Sequence, residues 1–446
     1  MRIHLIAIGG AVMHNLALAL QLNGNNVTGS DDEIYSPARE RLAKVGILPE
    51  KDGWFPEKIT SDINCIILGM HARADNPELL KAQTLGLKIY SFPEYIYEHS
   101  LNKTRIVIAG SHGKTTTTSM IMHVLKNSGV DFDYLVGAQL EGFDNMVRLS
   151  DAPIIIIEGD EYLSSAIDRV PKIWHYKPQI AVITGIAWDH VNVFPTFESY
   201  ANAFSRFIQN INSTGVLFYA GDDAGLKKIV KESAVCSVKS YAPFRNVLQN
   251  NANYITDARK NLVPVAVFGK HNLANMRAAY LVCRRLNIHP KTFFSHIGSF
   301  TGAAKRLQIL YEKPDHITFL DFAHAPSKVR ATVDAVKNRY PDRKLVACLE
   351  LHTYSSLDKN FLPQYKHSLS QADTAIVFFN EHTLEMKKMP PLNANEMKKF
   401  FGQQDMQVFT NNKDLKTFLD GLNFINTNLL MMTSGNFMDL DLRDER

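Results

Sequence analysis

Cysteine is scarce. The four present, Cys65, Cys236, Cys283 and Cys348, are widely scattered. No pair has the spacing of a metal-binding or redox motif, so free thiols in a reducing compartment are expected and a disulfide scaffold is excluded. Long apolar runs are also missing. No stretch approaches about 18 unbroken apolar residues, so no segment is expected to span a membrane. The N-terminal run IHLIAIGG is cut short by its glycines and then by His14 and Asn15, which makes a poor signal peptide. Charge of one sign is not in excess: the net charge of +4 on 446 residues does not argue for a nucleic-acid partner, although a basic pocket for phosphorylated ligands is compatible with it. A cytoplasmic location is the expectation.

What is present is ordinary globular composition, 45% hydrophobic and 21% charged, on a chain long enough for two to four domains. Residues 2–8 form a short apolar strand ending at Gly9-Gly10. A helix-period run with Leu16, Leu18, Leu20 and Leu22 follows, and Gly24 is placed to stop it. Val27-Thr28-Gly29 is a second strand and the CIIL segment at 65–68 a third, so residues 1–102 are expected to be a small parallel α/β domain. A second region, 103–299, opens with the strand Arg105–Ala109, a glycine-bearing loop and a helix from about 114 to 128. It carries further buried strands at 154–157 and 180–183 and a helix at 272–286. A third region, 300–446, offers strands at 317–320, 345–349, 374–379 and 429–432 with helices between, again the pattern of a doubly wound sheet. The fold class expected is α/β in three domains: Rossmann-like, a central P-loop-type ATPase domain, and Rossmann-like again.

Gly110-Ser111-His112-Gly113-Lys114-Thr115 lies between an apolar strand and a helix. A loop there points backbone N–H groups at a phosphate, and the helix N-terminus adds positive potential. Lys114 would neutralise the β- and γ-phosphates, the Thr115 hydroxyl would ligate Mg²⁺, and Thr116 continues the polar opening of the helix. The general GxxxxGK[ST] loop needs glycine at 108, where Ile108 stands, so the loop is a shortened GxxGKT. The IIII strand ends at Glu158-Gly159-Asp160-Glu161, and the strand Ala181–Thr184 leads to Trp188-Asp189-His190. Carboxylates and imidazoles at strand ends sit where α/β sheets take ligands, so Glu158 and His190 are candidate metal ligands.

Taken in order, these segments resemble the Mur ligases, which build the peptide of bacterial cell-wall precursors. GSHGKTTTT is similar to the family's ATP loop, EGDE and WDH to its two metal-ligand motifs, and Gly269–Ala279 (GKHNLANMRAA) to its G-x-H-N-x-x-N-x-x-A-A segment. Gly302–Arg306 is similar to G-x-x-R-R, and Asp321–Pro326 to D-[YF]-A-H-x-P. The resemblance implies ATP and Mg²⁺ as cofactors. It places Asn272 and Asn275 at the base, Arg306 at the phosphates, Asp321 at the ribose, and His324, with Lys114 and His190, near the reacting groups. Gly9 and Gly10 would admit the pyrophosphate of a uridine nucleotide, with Ser30 and Asp31 accepting the uridine unless they merely cap a helix. His352 and Tyr354 would face the incoming peptide. The stretch 158–194 is nearest the branch that joins UDP-N-acetylmuramate to L-alanyl-γ-D-glutamyl-meso-diaminopimelate through an acyl-phosphate, in peptidoglycan recycling. An L-alanine-adding ligase and a folylpolyglutamate-type synthetase are the alternatives. The partners expected are these small molecules, with no nucleic acid and no membrane, for a monomer or homodimer.

The sequence departs from the family pattern in places. Ala7 and Val12 stand where glycines are usual, Leu163 replaces a frequent aspartate, Gly185 replaces a frequent asparagine, and Glu350–Ser356 lacks the arginines of the L-alanine-adding enzyme. Two rivals come from other classes. A nicotinamide dehydrogenase would use Gly9-Gly10 and an acid about 20 residues on, but the third glycine of its fingerprint is missing. A nucleotide-gated switch would hydrolyse ATP without a UDP-sugar or an amine.

Overall fold

A computed structural model describes residues 1–249, 252–257, 259–303, 305–435 and 437. Ala304 of the GAAKR segment and the last nine residues of the expected third domain lie outside the described residues. The chain divides into two compact units, each drawn from three segments. One contains Met1–Ile186, Ala201–Ala242 and Ala278–His296; the other contains Ala187–Tyr200, Pro243–Arg277 and Ile297–Arg446.

The first unit holds two sheets. Strands β1 (Arg2–Ile6), β2 (Asn26–Ser30), β3 (Cys65–Leu68) and β4 (Ile89–Ser91) form an all-parallel sheet in the order β2-β1-β3-β4. The chain reverses direction across the sheet at β1, and the helix Ala11–Leu22 starts there, with Gly10 at its N-cap. Gly24 takes a left-handed backbone just after that helix, as its position predicts. The crevice at such a reversal is where open α/β sheets take ligands.

The second sheet is built from β5 (Thr104–Ala109), β6 (Asp133–Leu135), β7 (Val147–Arg148), β8 (Ile154–Glu158), β9 (Ile180–Ile183), β10 (Val216–Ala220) and β11 (Ser237–Tyr241), in the order β11-β10-β9-β5-β8-β6-β7. All neighbours are parallel except β6 and β7. The central strands β5, β8 and β9 are buried almost throughout, which is why they read as unbroken Ile/Val runs. Again the chain leaves β5 in one direction and returns to pair β9 on the other side, so the loop after β5 opens at a reversal point.

The second unit contains a small antiparallel sheet of β12 (Asn246–Gln249), β13 (Ala252–Thr256) and β14 (Leu262–Val265). Its larger sheet has β15 (Gln308–Lys313), β16 (His316–Asp321), β17 (Lys344–Glu350), β18 (Thr374–Phe378), β19 (Gln407–Phe409) and β20 (Thr427–Met432), in the order β15-β16-β20-β17-β18-β19. Only β15 runs antiparallel to its neighbour. One face packs Val329, Val333 and Val336 of the helix Pro326–Arg339 against Phe319, Ala347 and Leu430; the other packs Leu415 and Leu419 against Val346, Cys348 and Met431. Among the described residues no helix is long and apolar enough to cross a membrane.

Candidate active site

In the first unit, Gly110 leaves β5 with φ +129, and any Cβ there would fall on the Thr184 side chain and lie 2.9 Å from the Thr184 amide nitrogen. Only glycine allows β5 and the end of β9 to approach so closely. The Ser111 amide donates to the Gly185 carbonyl at 2.9 Å, and the Thr184 hydroxyl donates to the carbonyls of Ala109 and His112. The loop is thereby braced before any ligand arrives. Gly113, left-handed at φ +79, caps the helix Lys114–Asn127, whose opening residues Thr115–Thr118 are all buried. Among the described residues the hydroxyls of Thr117 and Thr118 have no hydrogen-bond partner.

Three predicted residues meet here. The Thr115 hydroxyl donates to Glu158 at 2.7 Å, and the other Glu158 oxygen accepts the Gly137 amide at 2.9 Å. Lys114 Nζ lies 2.7 Å from Glu161 Oε2, whose side chain is fully buried. Burial alone would depress the Lys114 pKa, but Glu161, Asp160 and Glu158 outweigh it and hold the ammonium above its ordinary value. A buried hydroxyl beside a buried carboxylate is a donor set of hard oxygens that fits a Mg²⁺ ion, and the loop amides with Lys114 fit a polyphosphate.

At the carboxyl end of β1, Gly9 donates its amide to Asp31 Oδ2 at 2.7 Å, while the Ala7 and Ile8 amides both donate to the Ser30 carbonyl. Asp31 therefore caps no helix; it closes the turn after β1. Burial, reinforced by Asp32, pushes its carboxyl up to about 7. The Ser30 hydroxyl is buried with no partner among the described residues, an open hydrogen-bonding position at a place read from the sequence as nucleotide-binding. Ala7, where a glycine is usual in the family, takes a left-handed backbone at φ +65, so the turn keeps a glycine-like shape without the glycine.

In the second unit, His190 follows Asp189 in a tight turn at φ +57. Asp189 lies 3.4 Å from Lys328, and although burial opposes its ionisation, Lys328, His190 and His324 outweigh it and hold its pKa below the usual carboxylate range. His324 is buried, with Nδ1 2.8 Å from the Phe322 carbonyl, and burial together with Lys328 lowers its pKa to about 3, so its imidazole is neutral. Asp321 spends its oxygens on the Leu307 and Ala323 amides, both at 2.7 Å, and so shapes the loop that carries Arg306; burial raises its pKa. Arg306 stacks over the Phe322 ring at 4.6 Å. Asn272 and Asn275 are buried on the helix Lys270–Arg285, and the Asn272 amide donates to the Phe268 carbonyl at 2.9 Å. His352 lies at the end of β17, 3.9 Å from Glu350, while Tyr354 is exposed with Lys387 over its ring at 4.5 Å.

Two family models match the chain: the Mur ligase family catalytic domain over residues 2–104 and the Mur ligase middle domain over 108–283. A UDP-N-acetylmuramate–L-alanine ligase of Clostridium botulinum is 33% identical over 79% of this chain and 77% of its own length; one of Carboxydothermus hydrogenoformans is 30% identical over 89% and 86%. The chain belongs to the Mur ligase family. Its members are ATP-dependent amide-bond ligases of peptidoglycan synthesis, and this Mur ligase is such an enzyme. Among solved structures, a murein peptide ligase from Psychrobacter arcticus shares the fold at TM-score 0.69 over 99% of this chain and 98% of its own, with 22% identity. The UDP-N-acetylmuramate:L-alanyl-gamma-D-glutamyl-meso-diaminopimelate ligase of Neisseria meningitides is 25% identical over 67% of this chain and 98% of its own, at TM-score 0.61.

Three participants in this Mur ligase escape a reading by motif. Glu161, the partner of Lys114, stands within the EGDE segment, but nothing in the spacing ties it to a lysine 47 residues earlier. Gly137 contributes only a backbone amide, which leaves no trace in residue type. Lys328 sits in the first turn of the helix Pro326–Arg339, where a cation opposes the helix dipole, and Asp189 offsets that cost.

Proposed function

We propose that this Mur ligase joins the lactyl carboxylate of UDP-N-acetylmuramate to the free amine of L-alanyl-γ-D-glutamyl-meso-diaminopimelate at the expense of ATP. The observation that carries the ligase chemistry is the cluster of Lys114, Thr115 and Glu158 at the end of β5. A carboxylate is a poor acyl donor at neutral pH, and two anions must meet before it can capture a phosphoryl group. Lys114 supplies a fixed positive charge for that encounter, and the Gly113–Thr115 amides orient the oxyanions. Thr115 and Glu158 would hold Mg²⁺, which offsets anionic charge when bound. The amine then displaces phosphate from the acyl-phosphate, giving an amide. Ser30, with its unanswered hydroxyl, and the Gly9-Gly10 turn would receive the uridine nucleotide. Neutral His324 would accept or donate a hydrogen bond to a ligand held by the second unit.

Support for the tripeptide comes from two stretches. Residues 158–176 form a self-tied loop in which Lys172 pairs with Asp160, and His175 lies 2.8 Å from Asp168 and 3.1 Å from the Ser164 hydroxyl. These residues carry the pattern nearest the tripeptide branch. Glu350–Ser356 lacks the arginine that would clamp the carboxylate of a single small amino acid. The second reading is L-alanine as acceptor. The curated relatives at 33% and 30% identity are named for L-alanine, and the comparisons weigh toward it more than toward the tripeptide.

The deciding experiment measures phosphate release with ATP, UDP-N-acetylmuramate and either L-alanine or the tripeptide, with mass analysis of the product. Turnover with the tripeptide at a kcat/KM well above that for L-alanine is the expected result. The reverse order makes this an L-alanine ligase, and no amide with either removes the proposal.

A further inference from the structure

At the carboxyl end of β17, in the second unit, Glu350 is a buried carboxylate, 2% exposed, with no lysine or arginine paired to it among the described residues. Its Oε2 is fully engaged: it accepts the Thr433 hydroxyl and, at 3.0 Å, the Phe437 amide. The Thr433 oxygen is itself oriented by the Gly435 amide, which donates to it at 2.7 Å. The other oxygen, Oε1, accepts no hydrogen bond among the described residues, and His352 Nδ1 lies 3.9 Å from it, outside hydrogen-bond range. Gly435 keeps this corner open, since a Cβ there would lie 2.9 Å from Oε2 and 3.1 Å from the His352 ring.

A buried carboxylate costs several kcal/mol unless a cation or several donors answer it. Among the described residues one oxygen is hydrogen-bonded and the other is not. The position is the carboxyl end of a parallel strand, beside His352 and next to β20, whose following residue Thr433 donates its amide to the Asp321 carbonyl.

We infer that Glu350 is the anchor for a primary ammonium group of the incoming acceptor, with Oε1 as the accepting atom and His352 at the side of the subsite. The inference rests on the ligase reading above and adds to it the group that recognises the acceptor's charge. Binding of an ammonium group gives the buried anion its missing counter-charge, and Thr433 and Phe437 fix the carboxylate so that the free oxygen presents in one direction. An acceptor acetylated at every free amine (two in the tripeptide) offers no cation and loses this contact.

The test is Glu350→Gln, which keeps an oxygen for Thr433 and Phe437 but removes the charge. KM for the reactive acceptor, L-alanine or the tripeptide as found for the wild type, should rise by about 10- to 100-fold, the range of a charged hydrogen bond. KM for ATP and for UDP-N-acetylmuramate should stay within about twofold, and the melting temperature should hold. The acceptor acetylated at every free amine, titrated as a competitive inhibitor, should bind wild type and variant alike. Unchanged acceptor KM in a folded E350Q variant overturns the inference and leaves Glu350 as a tether for Thr433 and Phe437. Should E350Q melt early, Glu350→Asp provides the second reading: it retains the charge, and its acceptor KM must fall between those of wild type and E350Q. A wild-type enzyme that makes no amide at all defeats the ligase proposal instead, which separates the two failures.

Discussion

Lys114 and Glu161 form a buried ion pair, with Nζ 2.7 Å from Oε2 and the glutamate fully shielded from solvent. A carboxylate of the chain thus stands beside the ammonium group that a phosphate would engage.

The motif alone makes Lys114 a loop lysine whose replacement by alanine leaves the fold intact. The pairing changes that expectation. Lys114→Ala removes the ammonium group held against the buried Glu161 carboxylate and should cost roughly 3 kcal/mol of stability as well as abolishing amide formation. The double variant K114A/E161Q should recover most of the stability and none of the activity. Chemical denaturation of the three proteins checks this; a K114A midpoint equal to wild type would show that Glu161 does not depend on the lysine.

Ala7 occupies a left-handed backbone at φ +65. An L side chain pays about 1–2 kcal/mol there, and glycine's larger unfolded-state entropy returns part of that on replacement. Ala7→Gly should therefore stabilise the protein by about 0.5–1 kcal/mol. A lower denaturation midpoint for the variant would show that the turn is not strained.

Asp31 titrates near 7 in the fold, against about 3.9 for an unfolded aspartate. Between those values the native protein binds more protons than the unfolded chain, so this group's contribution to stability is complete below about pH 4 and declines as pH rises through 7. Asp31→Asn removes that decline. The comparison is of unfolding free energies at pH 5 and pH 8: wild type should lose more across that interval than D31N. Equal losses would mean that Asp31 is ionised throughout.

Gly110→Ala places a methyl group against Thr184 at φ +129. The loop must shift to relieve it, and affinity for a fluorescent ATP analogue should drop by about 100-fold or more. Binding at wild-type strength would show that the loop does not form the nucleotide site.

Much of the fold was legible where one physical rule dominates. Ile154–Ile157, Ile180–Ile183 and the strands near 345 and 429 are buried on both faces, so they stand out as apolar runs, and the observed strands agree within a few residues. The small sheet at 246–265 was not anticipated. Its strands NVLQ and LVPV are mostly exposed, and Pro264 speaks against a strand, so neither pattern nor propensity announces them. The site divides in the same manner. Lys114 and Thr115 are contiguous with their glycines and declare themselves. Partnerships such as Lys114 with Glu161 or Asp321 with the Leu307 amide depend on how distant segments return, which spacing does not encode.

The slot between β16 and β17 is filled by β20, and no pairing joins β16 to β17 directly. During synthesis both strands emerge more than seventy residues before their shared neighbour is complete. For that interval each presents an unsatisfied hydrogen-bonding edge, a standing invitation to intermolecular association. Nascent chains halted before residue 427 should be unusually dependent on chaperones, because β20, made after both strands it pairs with, is the keystone of its sheet.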